Sequence, residues 1–257
     1  MSTVTAPTSV LVHGAGGRMG RAVLSLAPHV AEVRLKGILE LRENRPLSGS
    51  VGAESLPVFG QVPQEQAENT AVIDFSRPEA MGRLVKAMSG SGISLVSGTT
   101  GLGGKERQLL KEYSEESAVF YDENMSYGIL ALKKLLRRAV SLLEDYDVEI
   151  VETHHAGKRD QPSGTALALS KVISPDVKPI SGRGEREDRP VHIHSLRLGG
   201  VPGEHHVLFA NREEVITLSH RAISRQVFAR GAIRAAHFIT SKKRGFYSME
   251  DLLEDAS

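Results

Sequence analysis

A chain of 257 residues with 32 Lys and Arg against 31 Asp and Glu carries a net charge of +1, which leaves no electrostatic footprint for nucleic acid or an anionic membrane. Cysteine is absent, so disulfides, thiolate metal centres and cysteine nucleophiles are excluded. There is no apolar run of about 18 residues, and residues 1–9 lack the charged and apolar regions of a signal peptide, so a soluble, cytoplasmic protein is expected.

In chain order, residues 9–13 read as a strand, followed by a glycine-rich turn and an amphipathic helix to about residue 27. Residues 33–39, 71–75, 94–97 and 118–121 read as further strands, with helices over 78–89 and 105–116. Strand–helix alternation at this spacing predicts an α/β unit: a parallel sheet with helices on both faces. The stretch 42–66, rich in Gly, Ser and Pro, reads as an irregular excursion with one short strand near 56–59. Apolar positions 129, 132, 136, 140 and 143 recur at helical spacing and mark a long helix from about Ser126. A strand at 148–151 and a helix at 166–173 follow. Three strands then come without intervening helices, 192–198, 204–210 and 215–220, the last two joined as a hairpin by 211–214. That succession predicts a second, mixed or antiparallel sheet. A helix over 225–239 comes next.

Two segments carry chemistry. The first is the turn 14–20 (GAGGRMG), between a strand and a helix, where a dinucleotide fold places its pyrophosphate. The strict G-x-G-x-x-G string fails at Met19, and the spacing that fits is Gly14, Gly17 and Gly20. Such glycines permit a tight turn and close backbone approach, and Arg18 adds a cation. Glu40 stands at the end of the second strand, about 20 residues beyond the last glycine, where a carboxylate holds ribose hydroxyls. Arg42 is placed to meet a 2′-phosphate instead, so NAD and NADP both stay open. The strand-end loops 98–101 and 123–126 complete one rim, the usual ligand edge of an open α/β sheet.

The second segment is 152–166 (ETHHAGKRDQPSGTA), on a strand-to-helix loop. Here Ser163 or Thr165 is placed to cap the helix, whose first N–H groups face the same space as His154, His155 and Lys158. Proton donors beside a helix N-terminus suit a small anionic substrate that must be protonated. The bland alternative makes one histidine a loop residue and the other a packing residue; Lys158 and the Pro-Ser-Gly-Thr run that follows weigh against it. If the strand runs through both histidines, they point to opposite faces and serve different ends. A metal site is the rival, since His192, His194, His205, His206 and His220 cluster downstream, but no H-E-x-x-H or comparable spacing with a carboxylate occurs, so no metal is expected. Nor is Pro-Ser-Gly around Ser163 a nucleophile elbow.

Together these residues resemble the 4-hydroxy-tetrahydrodipicolinate reductase (dihydrodipicolinate reductase) family. The likeness extends through 74–78 (DFSRP), 98–101 (GTTG), 124–126 (NMS), Arg197 and Gly199, 203–205 (GEH) and 220–235. It implies a Rossmann-type dinucleotide-binding domain, residues 1–126 and 235–257, and a mixed α+β-sheet domain, residues 127–234, for substrate binding and tetramerisation. It also implies hydride transfer from NAD(P)H to a cyclic imine dicarboxylate on the diaminopimelate and lysine pathway, in a homotetramer. By the same resemblance His154 is the proton donor and acceptor and Lys158 a second donor, with His155, Gly164 and Thr165 binding substrate. Nucleotide contacts fall to Gly14, Ala15, Gly16, Gly17, Arg18, Met19, Glu40, Gly98, Thr99, Thr100, Asp122, Glu123, Asn124 and Met125. A relative that senses NAD(P)H without turnover is the alternative reading.

Overall fold

A computed structural model describes residues 6–41, 56–63, 68–175, 180–181 and 191–255. Arg42, most of the 42–66 excursion and residues 182–185 lie outside the described residues. The chain divides into two compact units, Met1–Met125 with Gln226–Ser257, and Ser126–Arg225.

The first unit is built on a seven-stranded sheet of order β12-β6-β5-β4-β1-β2-β3. Its strands are β1 (Thr8–His13), β2 (Val33–Leu39), β3 (Val58–Phe59), β4 (Thr70–Asp74), β5 (Ser94–Ser97), β6 (Ala118–Tyr121) and, from the end of the chain, β12 (Gly245–Tyr247). Every pairing is parallel. β4, β5 and β6 are buried at every position, as expected of strands covered on both faces. Helices α1 (Arg18–Leu26), α2 (Pro78–Met88) and α3 (Gly104–Glu116) connect them, α2 opening with proline in its first turn. Leu11, Val72, Leu84, Leu95, Leu110 and Val119 lie in one core between sheet and helices.

Two later helices, α6 (Gln226–Ile239) and α7 (Met249–Glu254), also belong to this unit. The expectation placed the return at residue 235, in the middle of what is one continuous helix. α6 buries Ala229, Ala232, Ile233 and Ala236 from its first turns onward, so it stays with the first unit whole. Gly231 is forced by the same packing, because a Cβ there would collide with the backbone carbonyl of Met125.

In the second unit a five-stranded sheet runs β11-β10-β7-β9-β8, with β7 (Asp147–His154), β8 (Ile180–Ser181), β9 (His192–Arg197), β10 (Glu204–Ala210) and β11 (Val215–Arg221). β10 is antiparallel to both β7 and β11, while β9 is parallel to β7 and β8, so the sheet is mixed. Helices α4 (Tyr127–Leu142) and α5 (Gly164–Ile173) share a core with the sheet through Ile129, Leu136, Ile150, Leu169, Val207 and Phe209. Ser126 caps α4, its hydroxyl accepting from the Ile129 N–H at 3.3 Å.

Candidate active site

The carboxyl ends of β1, β2, β4, β5 and β6 form one rim of the first unit. At its centre the chain leaves β1 through Gly14, at φ +76°, where a Cβ would lie 2.6 Å from the Phe75 carbonyl oxygen. A Cβ on Gly20 would lie 2.7 Å from the Ala15 Cα, so the first turn of α1 can press on the loop only as glycine. Gly17 stands at the N-cap of α1 and no side chain caps the helix. The N-terminus of α1, with its positive dipole end, faces the turn without a side-chain cap and suits an anion. Gly16 faces open space. Beside this turn a cleft is lined by His13, Gly14, Glu40, Leu41, Ser76 and Arg83, joining Glu40 at the end of β2 to the loop after β4. A strand–turn–uncapped helix with an acidic residue across the cleft fits a dinucleotide: N–H groups for the pyrophosphate, a carboxylate for ribose hydroxyls.

The other nucleotide candidates divide by what their side chains already do. Thr99 is buried and its hydroxyl donates to Asp74 Oδ2 at 2.7 Å while accepting from the Ser76 N–H at 3.0 Å. Asp74 also accepts from Ser97 at 2.9 Å and meets His13 Nδ1 at 2.7 Å. Thr99 is thus a strut that ties the loop after β5 to the loop after β4. Gly98 packs where a Cβ would strike the Phe75 ring, and Thr100 is exposed beside it. Asp122 accepts from the Asn124 N–H at 3.0 Å, and Glu123 accepts from Arg107 at 2.7 Å and Tyr121 at 3.2 Å. Burial, with the Glu123 carboxylate beside it, pushes the Tyr121 hydroxyl well above its usual range. Met125 is buried.

The acid cluster belongs to the second unit. β7 runs three residues beyond the expected 148–151, to His154, and Ile150, Glu152 and His154 alternate inward. β7 ends at His154 and His155 lies just past it, so the strand does not run through both histidines. Lys158 closes the next turn, its N–H donating to the His155 carbonyl at 3.1 Å, and its ammonium pairs with Asp160 Oδ2 at 2.7 Å. Ser163, rather than Thr165, caps α5: its hydroxyl accepts from the Ala166 N–H at 3.1 Å. Gly164 and Thr165 form the first turn of α5, where backbone N–H groups have no intrahelical acceptor. The five expected substrate-site residues therefore lie between the last residue of β7 and the first turn of α5.

Around His154 lie Glu152, Arg197 and His205, none of which was given a place among the site residues from sequence. Glu152 is fully buried, and its Oε1 accepts from the Ser163 N–H at 3.0 Å, the Ser195 hydroxyl at 2.7 Å and Arg197 Nη2 at 2.9 Å. Its Oε2 stands 2.9 Å from His154 Nδ1. Burial alone would raise the Glu152 carboxyl, but hydrogen bonds from His154, Ser163, Ser195 and Arg197 outweigh it and hold the group well below the usual carboxylate range. Arg197 Nη2 also donates to the Asp160 carbonyl at 2.7 Å, so one guanidinium ties the buried carboxylate to the loop that carries Lys158. His205 packs edge-on against His154, ring centroids 5.2 Å apart, and burial together with that neighbour pushes it down to about 3. It is neutral at physiological pH. A period-2 reading of Ile150, Glu152 and His154 was the available sequence signal for Glu152. Arg197 and His205 arrive by strand pairing, which no local pattern encodes.

Donor atoms of Glu152, His154 and His205 lie within 4.8 Å of one another, so the carboxylate partner that the histidines lacked in sequence exists in space. The chemistry of that donor set does not fit a dication, because the carboxylate is already neutralised by a guanidinium and saturated on Oε1.

Family models for the N-terminus and C-terminus of dihydrodipicolinate reductase match residues 8–125 and 128–253. The 4-hydroxy-tetrahydrodipicolinate reductase of Caldanaerobacter subterraneus subsp. tengcongensis is 39% identical over 253 residues, covering 95% of this chain and 98% of the relative. That of Thermosipho africanus is 44% identical over 185 residues, covering 72% and 79%. Among solved structures, dipicolinate-bound dihydrodipicolinate reductase from Paenisporosarcina sp. TG-14 superposes with a TM-score of 0.74 at 23% identity, over 95% of this chain and 99% of that one.

Proposed function

This chain belongs to the dihydrodipicolinate reductase family, and on that premise we propose that its β7–α5 connection binds and protonates the substrate while the rim of the first unit holds the nucleotide. The protein is a 4-hydroxy-tetrahydrodipicolinate reductase, an NAD(P)H-dependent oxidoreductase of the diaminopimelate and lysine pathway. The bound nucleotide supplies the hydride. Its pyrophosphate is held by the N–H groups of residues 14–19, its ribose by Glu40, and its nicotinamide end by the loops 98–100 and 122–125.

Reduction of an imine dicarboxylate places demands that the second unit meets. The ring nitrogen needs a proton as the hydride arrives, and His154 delivers it. Lys158 serves as a second donor and as countercharge. The N–H groups of Gly164 and Thr165, the Thr165 hydroxyl and His155 hold a substrate carboxylate, with the positive end of α5 behind them. The single observation that carries this reading is the placement of His154, Lys158 and the start of α5 within one short stretch of chain. The mixed sheet serves assembly into a homotetramer, supported by exposed apolar residues on it such as Leu196 and Val215. The cytoplasm is its compartment.

The test is a coupled assay with the product of a dihydrodipicolinate synthase, run with NADH and with NADPH. Nucleotide oxidation is expected; its absence with both removes the assignment. His154→Gln and Lys158→Ala should each lower kcat by about 100-fold or more while nucleotide affinity, followed by fluorescence, stays unchanged.

A further inference from the structure

We infer that Glu152 is the positioning residue for the His154 proton: it fixes the Nδ1–H form of the imidazole, so that protons leave and return at Nε2. The inference rests on the reading of His154 as the acid.

Four observations lead there. Glu152 Oε2 and His154 Nδ1 are 2.9 Å apart, on a bent approach. Both atoms are buried and neither has a hydrogen-bond partner of ordinary geometry among the described residues, so this 2.9 Å approach is the contact through which a small ring adjustment would satisfy both. The carboxylate is ionised, and an anion accepts but cannot donate, which requires the proton to sit on Nδ1. On the other side of the ring, Nε2 faces Gly203, where a Cβ would stand 3.1 Å away, so the absence of a side chain keeps the approach to that nitrogen clear.

The charged surroundings agree. His205 is neutral and adds no competing positive charge, although its ring touches that of His154. Lys158 is paired with Asp160, and Arg197 with Glu152. The carboxylate is therefore the one anion in direct contact with His154 among the described residues, and three donors hold it in place. In turnover the imidazolium gives its Nε2 proton to the substrate nitrogen, is left neutral with Nδ1–H on Glu152, and recovers the proton at Nε2 from water.

Glu152→Gln is the informative substitution. Ser163 N–H, Ser195 and Arg197 all donate to the Oε1 position, so the amide oxygen must settle there and the amide N–H2 must face His154. A donor now confronts Nδ1, which can answer only as an acceptor, and the neutral ring is driven to carry its proton on Nε2. The substitution thus inverts the tautomer with little change of volume.

The experiment is 15N NMR of histidine-labelled protein at alkaline pH, its signals assigned by their loss in His154→Gln, beside steady-state kinetics. In the native protein Nδ1 is expected to be the protonated nitrogen; a protonated Nε2 overturns the inference without any variant having to fold. In Glu152→Gln the protonated nitrogen should switch, and kcat should fall about 100-fold with nucleotide affinity unchanged. A kcat within about threefold of native, with the tautomer unchanged, would show Glu152 to be structural. EDTA treatment should leave both the spectrum and turnover as they were; a loss of either would make the cluster a metal site instead. Absence of all turnover in the native protein would remove the reductase reading but leave the tautomer result standing.

Discussion

Replacing Arg197 by Met removes the counter-ion of a carboxylate that has no exposed surface. Arg197 is itself 14% exposed in its side chain and stands 2.9 Å from Glu152. Breaking a buried pair by removing one member costs about 3–5 kcal/mol, because the remaining charge is left unmatched. Loss of the bond to the Asp160 carbonyl adds roughly 1 kcal/mol. The pH dependence carries the sign. The Glu152 carboxyl is depressed in the folded state, so the stability it contributes is present above the ordinary value of 4.5 and is lost as pH falls toward the much lower folded value. Native protein minus Arg197→Met should therefore differ most near neutral pH and converge on acidification, as Glu152 takes up a proton and no longer needs the guanidinium. Urea unfolding followed by circular dichroism at about pH 7 and at the lowest pH where both proteins still fold measures both quantities. At neutral pH the Tm loss is expected to be on the order of 10 °C. A cost below about 1 kcal/mol, the scale of an exposed ion pair, or a gap that fails to narrow in acid, would refute the assignment of a buried, functional charge pair.

Gly203→Ala places a methyl group 3.1 Å from His154 Nε2 and should lower kcat roughly 10–100-fold with nucleotide affinity unchanged, read by steady-state kinetics and fluorescence titration. For His205 the folded group titrates at about 3 against 6.5 unfolded, so the neutral ring contributes stability above 6.5 that drains away as pH falls toward 3. His205→Gln should flatten that part of the thermal stability profile, measured by differential scanning fluorimetry across pH.

Much of the first unit was legible because short apolar strands alternate with helices; β2, β5 and β6 fall where the sequence put them, and β5 and β6 are buried at every position. The glycine turn was legible too, since Gly14 and Gly20 answer steric demands that act within a few residues. β12 and α7 were not anticipated. A three-residue strand has no period to detect, and Gly245–Tyr247 is a strand only by virtue of pairing with β6. The acid site was half legible for the same reason. His154, Lys158 and the capping Ser163 lie within ten residues of one another, so their grouping is local. The partners that give His154 its environment come from register: Glu152 pairs across the sheet with Ser195 and with His205, and His154 with Arg197. Those neighbours are separated by more than 40 residues along the chain.

The first unit is interrupted in sequence by the second, and that order bears on how the protein is made. The strands β1 to β6 leave the ribosome first, yet α6 and β12, which cover and extend that sheet, follow about 100 residues later. Until then the apolar positions that receive Ala229, Ala232 and Ile233 have no cover, whereas residues 126–225 are contiguous and hold their whole sheet within one stretch of nascent chain. The β7–α5 connection thus belongs to the part that can finish first, and the glycine turn after β1 to the part that is finished last.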